Sequence, residues 1–211
     1  MTRLFLIRHG ESVAQVEGFV SGHDTCRGLS DLGRRQVTAL RDRLQRTGEI
    51  QADVVLTSIL PRAIETAEII APAVGGGDAV QDCDLCEIHP GDGEGLTWDE
   101  WKAKYFDPNY DPATASAPNG ESWQGFNERV TRTVRRYTEE HAGKTIVAAV
   151  HGGIIEASVA AFLELPLGHG RLGPLVNASI TEWVHHEPEF GRRGERWQLV
   201  RYNDAAHLHD L

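Results

Sequence analysis

The chain is short of sulfur, of aromatic rings and of positive charge. Three cysteines in 211 residues are too few, and odd in number, for a disulfide framework, which points to a reducing compartment. Lysine and arginine number 21 against 31 acidic residues, a net charge of −10. Such a chain does not attract nucleic acid or an anionic membrane through its overall field, so any anion must be held by a local pocket of positive charge. Near the N-terminus the apolar run Leu4–Ile7 is only four residues long between Arg3 and Arg8, too short for a signal peptide or a membrane span. No internal repeat is visible, and an apolar content of 40% with 22 glycines excludes disorder, collagen and coiled coil. The expectation is a soluble, cytoplasmic protein with neither a nucleic-acid nor a membrane partner.

What is present is an alternation. Leu4–Ile7, Asp53–Thr57, Thr145–Val150, Ile180–Val184 and Trp197–Val200 read as strands, the first three as nearly continuous apolar runs covered on both faces. Helices are predicted over Ser30–Thr47, Pro61–Ala73, Trp98–Tyr105, Glu121–His141 and Ile154–Leu163, with Ser30 as an N-cap, Pro61 in a first turn and Gly143 as a stop. Strands alternating with helices predict an α/β fold, a three-layer α/β/α sandwich with a mostly parallel central sheet. A single domain is expected over residues 1–211, with a specificity insertion at about 88–123. Residues 107–119, low in apolar bulk and holding three prolines, read as a surface excursion over the site. The stretch from Asn203 to Leu211 reads as a polar tail.

In an open α/β sheet, ligands bind at the carboxyl ends of the strands. The first strand is followed by Arg8, His9, Gly10, Glu11 and Ser12. After the second come Thr57 and Ser58, then Arg62 one turn into a helix, and after the third come His151, Gly152 and Gly153. Any one of these has an ordinary structural reading, as a rim arginine, a capping histidine or a turn glycine. Together they bring two arginines and two histidines to one sheet edge of an acidic protein, which suggests an anion site whose glycines let backbone approach the ligand.

Residues 6–12 (LIRHGES) resemble the signature of the histidine phosphatase, or phosphoglycerate mutase-like, superfamily. Further matches come in family order: residues 29–36 (LSDLGRRQ), Ser58 to Ala67 around Arg62, residues 85–88 (LCEI), residues 91–95 (GDGEG), residues 120–122 (GES) and residues 151–153 (HGG). The resemblance covers most of the chain and implies a phosphomonoesterase that hydrolyses a small phosphorylated metabolite through a phosphohistidine. His9 is then the nucleophile, its tautomer fixed by a backbone carbonyl and its neutral form favoured by two flanking arginines. Arg8 and Arg62 neutralise the phosphoryl oxygens as bidentate forks, and His151 adds a donor as an imidazolium. Gly152 is a further substrate contact. No metal and no cofactor are expected, because the protein supplies the cations.

The same resemblance makes Glu87 the general acid that protonates the leaving oxygen, with Glu94 as the rival. Where relatives carry Asn, this chain has Gln15, which keeps the amide on a longer stem and stands as a candidate phosphate contact. Ser21 likewise stands where many relatives have Gln. A phosphoglycerate mutase is the alternative, disfavoured because Glu87 is followed by Ile88, His89, Pro90 and Gly91 rather than the mutase Arg-x-Tyr-Gly. A non-catalytic phospho-ligand binding module is a second alternative, which the presence of all five core residues argues against. Cys83 and Cys86 have C-x-x-C spacing but no second pair, so zinc or redox use is set aside. Trp98, Trp101, Tyr105 and Trp123 read as packing, with an aromatic wall for the leaving group as a second reading. Whether the protein forms a homodimer is left open.

Overall fold

A computed structural model describes residues 1–166, 172–186 and 196–211. Its elements are β1 (Thr2–Arg8), α1 (Val13–Glu17), α2 (Asp31–Thr47), β2 (Val54–Thr57), α3 (Pro61–Val74), β3 (Val80–Gln81), α4 (Trp98–Tyr105), α5 (Trp123–Glu140), β4 (Thr145–Val150), α6 (Gly152–Leu163), β5 (Ile180–His186) and β6 (Arg196–Asp204). They form one six-stranded sheet in the order β3-β2-β4-β1-β5-β6. β1, β2, β3 and β4 pair in parallel, while β5 joins antiparallel to β1 and β6 antiparallel to β5.

Successive side chains of β1 enter opposite cores, as strand alternation requires. Leu4 and Leu6 pack with Phe126, Val130 and Val134 of α5 and with α6, whereas Phe5 and Ile7 pack with Val37, Leu40 and Leu44 of α2 and Ile70 and Val74 of α3. The helices present stripes that fit: Val37, Leu40 and Leu44, and Phe126, Val130 and Val134, recur at the three- and four-residue spacing of one helical face. The sheet is therefore covered on both sides, and the expected sandwich is the observed one.

Local signals hold where side chains act on their own backbone. The Ser30 hydroxyl accepts from Gly33 N at 3.0 Å, and Pro61 occupies the first turn of α3. α5 begins two residues later than predicted, because Ser122 is the residue that caps it, accepting from Gly125 N at 3.0 Å. It ends at Glu140 with His141 as its cap, so Gly143 does not terminate it; Gly143 lies in the following turn at φ 80°.

Two features escaped prediction. The short strand β3 and helix α1 carry too few residues for a periodic signal. The polar tail is corrected outright: Asn203 and Asp204 close β6, and Asp204 is paired with Arg43 of α2 at 2.8 Å. Arg43 and Arg201 also hold Glu49, each at 2.7 Å. Behind them a single 3₁₀ turn, Ala206–Leu208, brings His207 into partial burial, which pushes its imidazole down to about 4. Polarity misled here because the charges are spent on each other rather than on solvent.

The hydrogen bond from Arg43, joined by the Ala206 N–H, holds the Asp204 carboxyl down at about 2 against the opposing effect of burial. A depressed carboxylate stabilises the fold above its unfolded value, about 4, and loses that contribution as pH falls through its folded value. The pair is partly exposed, so screening limits it to about 0.5–1 kcal/mol. Denaturant unfolding of Asp204→Asn should therefore show a deficit of that size at pH 7 that closes between pH 4 and 2. A deficit unchanged at pH 2 would refute the ionic account.

Candidate active site

The C-terminal ends of β1, β2 and β4 lie side by side, so Arg8 and His9, then Arg62 at the start of α3, then His151 at the start of α6, converge. His9, Arg62 and His151 are buried, at 5%, 5% and 0% exposure. The His9 and His151 rings meet edge to face with centroids 5.1 Å apart. His9 Nδ1 lies 2.6 Å from the Gly10 carbonyl, so it carries the proton and leaves Nε2 with its lone pair. Arg62 Nε donates to that Nε2 at 3.2 Å, and its Nη1 donates to Cys26 Sγ at 3.3 Å. The Arg8 Nη1 donates to the Leu175 carbonyl.

Close backbone approach sets His9 in place. A Cβ on Gly33 would lie 2.0 Å from the Glu11 carbonyl oxygen, and one on Gly10 would lie 2.5 Å from that of Gly33. Only two glycines let the segment after β1 rest directly on the first turn of α2. Asn177 completes the brace, donating through Nδ2 to the His9 carbonyl at 3.0 Å.

The electrostatics arise from burying cations beside imidazoles. Burial, reinforced by Arg62 and Arg8, drives His9 well below the ordinary imidazole value. His151 is driven the same way by burial, with Arg62, His9 and Arg8 adding to it. Burial beside the Arg62 and Arg8 guanidiniums pushes the His151 ring toward its neutral form, against the direction of the expected imidazolium. Among the described residues, both its nitrogens and the Arg8 Nε are buried without a hydrogen-bond partner. The other buried arginine among the described residues, Arg129, is by contrast paired with Glu121 at 2.7 Å.

Glu87 joins this group across the N-terminus of α6. Its Oε2 accepts from Gly153 N at 2.9 Å and its Oε1 from Ile88 N at 3.1 Å. A Cβ on Gly153 would lie 2.1 Å from Glu87 Oε1, so any side chain there would displace the carboxylate. Gly152, beside it, approaches Arg8, whose Nε would be 3.6 Å from an added Cβ. Glu94 has another occupation. Its Oε1 accepts from Gly22 N, Asp24 N, Thr25 N and the Thr25 hydroxyl at 2.8–3.0 Å. Burial raises its carboxyl, and the Thr25, Asp24 and Gly22 donors outweigh that and lower it.

Gln15 is not directed at the pocket by its bonds. Its Oε1 accepts from Ser12 N at 3.0 Å in a capping box, and its amide pairs reciprocally with that of Asn177 at 3.1 and 3.2 Å. One extra methylene lets the side chain fold back on its own helix start, where the shorter Asn would stop. Trp98, Trp101 and Tyr105 contact one another along α4, which buries none of its residues, while Trp123 packs on Phe126 at 5.4 Å.

Asn177, the Leu175 carbonyl and Cys26 escaped the sequence reading. Residues placed just after a strand mark this edge only for the parallel strands. β5 runs antiparallel and pairs Ile180 with Ile7, so the residues before it reach the same edge. The sequence from Val176 to Ser179 carries no signal except that it precedes a strand.

The profile of the histidine phosphatase superfamily (branch 1) matches residues 4–205. The chain is 31% identical to glucosyl-3-phosphoglycerate phosphatase of Mycolicibacterium vanbaalenii, over 98% of this chain and 96% of that one. It is 28% identical to a metal-independent phosphoserine phosphatase of Arabidopsis thaliana, over 99% and 84% of the two chains. Among solved structures, Bacillus stearothermophilus YhfR superposes with a TM-score of 0.80 at 30% identity, covering 99% of this chain and 100% of that one. The order of motifs, the paired arginines and histidines at one sheet edge and these likenesses agree: the chain belongs to the histidine phosphatase superfamily.

Proposed function

We propose that the protein hydrolyses a small phosphate monoester through a phosphohistidine on His9 Nε2. The observation that carries this is the set of buried, unpartnered nitrogens on Arg8 and His151 around an imidazole whose other nitrogen is tied to a carbonyl. Burying polar N–H groups without acceptors is unfavourable by several kcal/mol in sum, roughly 1–3 kcal/mol each. A phosphoryl group brings acceptor oxygens and negative charge to the place where both are short.

The steps use the residues as they stand. The phosphoryl oxygens draw the Arg62 N–H away from the imidazole and onto themselves, which frees the Nε2 lone pair for attack on phosphorus. The P–O bond to the leaving group breaks as Glu87, in its acid form, delivers its proton to that oxygen. The resulting carboxylate takes a proton from water, the hydroxide attacks phosphorus, and the P–N bond breaks with its electron pair returning to Nε2. Glu87 ends protonated, as it began. Arg8 and Arg62 hold the equatorial oxygens throughout, and a neutral His151 supplies one N–H donor without needing an added proton.

An open pocket of about 530 Å³ is lined by Arg8, Gly152, Gly153, Glu156 and Leu175, next in the chain to His9 and His151. We place specificity in residues 88–123. This segment leaves and returns at one point, where Glu121 N donates to the His89 carbonyl at 2.9 Å and His89 N donates to the Glu121 carboxylate at 3.3 Å. No helix among the described residues is long and apolar enough to cross a membrane.

Rapid acid-free quenching after mixing with ³²P-labelled phosphate monoester should leave an acid-labile, base-stable label on the wild type and none on His9→Ala; equal labelling of both would end the mechanism. Nitrogen-15 NMR of the ligand-free protein should show His9 protonated at Nδ1 only, and both site imidazoles neutral at pH 6. A His9 or His151 imidazolium at that pH would contradict the burial argument. For the acid, Glu87→Gln should lower kcat/KM on an alkyl phosphate by about 10²–10⁴-fold and on p-nitrophenyl phosphate by much less, because a phenolate hardly needs a proton. If Glu94→Gln shows that leaving-group dependence instead, the acid is Glu94.

A further inference from the structure

We propose that His23, Cys83, Cys86 and His89 form a tetrahedral Cys₂His₂ site for a thiophilic divalent ion of the zinc class. The site ties the loop holding His23 to the segment on either side of Glu87. Each residue offers one ligand atom, and the four atoms lie within 4.8 Å of one another. Zinc bound at about 2.3 Å to sulfur and 2.0–2.1 Å to nitrogen makes a tetrahedron with edges of roughly 3.3–3.8 Å. Two edges already have that length, with Cys83 Sγ at 3.4 Å from His23 Nε2 and 3.8 Å from His89 Nε2. The remaining contraction is at most about 1.5 Å, within the reach of side-chain rotation. The His23 and His89 rings meet edge to face with centroids 4.9 Å apart, so neither ring blocks the other's nitrogen.

The surroundings resemble those of a built site. Ser58 Oγ donates to Cys86 Sγ at 3.2 Å, the hydrogen bond that a thiolate ligand takes from its outer shell. Arg129 grips the turn between the sulfurs, donating to the carbonyls of Asp84 at 2.8 Å and Cys86 at 3.1 Å. The Glu121 carboxylate that holds Arg129 also receives the His89 N–H. On the opposite side, Glu94 clamps the loop through Gly22, Asp24 and Thr25, so His23 is held from both flanks. The three ligand-bearing segments are therefore positioned before any ion arrives.

Charge balances on binding. One dication displaces one proton from each thiol, giving a neutral Zn(S⁻)₂(N)₂ centre with two neutral imidazoles and two protons released to solvent. A neutral centre suits a half-buried place beside Arg129. Thiolate and imidazole donors select zinc over magnesium or calcium, which require oxygen. A redox use of the C-x-x-C pair is less well served, because Cys86 has no exposed surface for an incoming thiol.

The test needs no turnover. Protein purified under reducing conditions is stripped with a chelator, dialysed against zinc and analysed by elemental mass spectrometry. The wild type should retain one zinc per chain, and its melting temperature should rise with zinc. His23→Ala, which alters an exposed side chain, should bind at least about tenfold more weakly and lose that rise. Cobalt should give the intense visible bands of tetrahedral coordination and a thiolate-to-cobalt charge-transfer band, absent in the Cys83→Ser, His23→Ala double variant. Zinc at well below one per chain, equal affinity in wild type and His23→Ala, or a pale octahedral cobalt spectrum would each overturn the site.

Discussion

Two guanidiniums gathered around two buried imidazoles at one edge of the sheet govern the rest of the molecule. Among the described residues Arg62 and Arg8 donate to an imidazole, a thiol and a backbone carbonyl, where Arg129 and Arg43 donate to carboxylates, and Glu87 acts on Arg8 through its charge alone. In a low-dielectric site this arrangement is unfavourable, and it persists only because the surrounding sheet and helices hold it. Its first consequence is chemical. The same field that would attract an anion pushes both imidazoles toward their neutral forms.

Its second consequence is architectural, since each charged group needs a support that cannot drift. Arg8 leans on Leu175, and Leu175 is fixed by Asn203, whose amide donates to the Pro174 carbonyl at 2.9 Å and accepts from Val176 N at 2.7 Å. The end of the last strand, which looks like a loose tail in the sequence, thus reaches the site in two steps. His9 leans on the Gly10–Gly33 contact and on Asn177. Glu87 leans on Gly153, whose missing side chain is the space the carboxylate fills.

The segment around Glu87 has supports of its own on the other side. Arg129 and Glu121 join the start of α5 to the 3₁₀ turn at Cys83–Leu85, and Glu94 joins the 91–95 turn to the loop at 22–25. An ion held by His23, Cys83, Cys86 and His89 would link the same pieces. That placement reconciles a metal site with the phosphoryl transfer proposed above: the ion would set geometry next to Glu87 and take no part in the bond changes.

The sequence by itself determined the layered α/β fold, the helices with strong caps and stripes, and the meeting of Arg8, His9, Arg62 and His151. All of these depend on local signals, plus the rule that parallel strands end at a common edge. Tertiary structure alone decided what depends on encounters between distant segments. Asn177 and Leu175 reach the site because β5 runs antiparallel, and no pattern in residues 172–179 announces that direction. The Gln15 amide turned to Asn177, 162 residues away, instead of to the pocket. The downward push on His151, against the expected imidazolium, comes from burial and a field summed over three strand ends. Cys83 and Cys86 read as an incomplete pair because the completing ligands are histidines, one of them 60 residues upstream. Spacing along the chain reports contacts within a turn or a strand; contacts closed by folding leave no period to read.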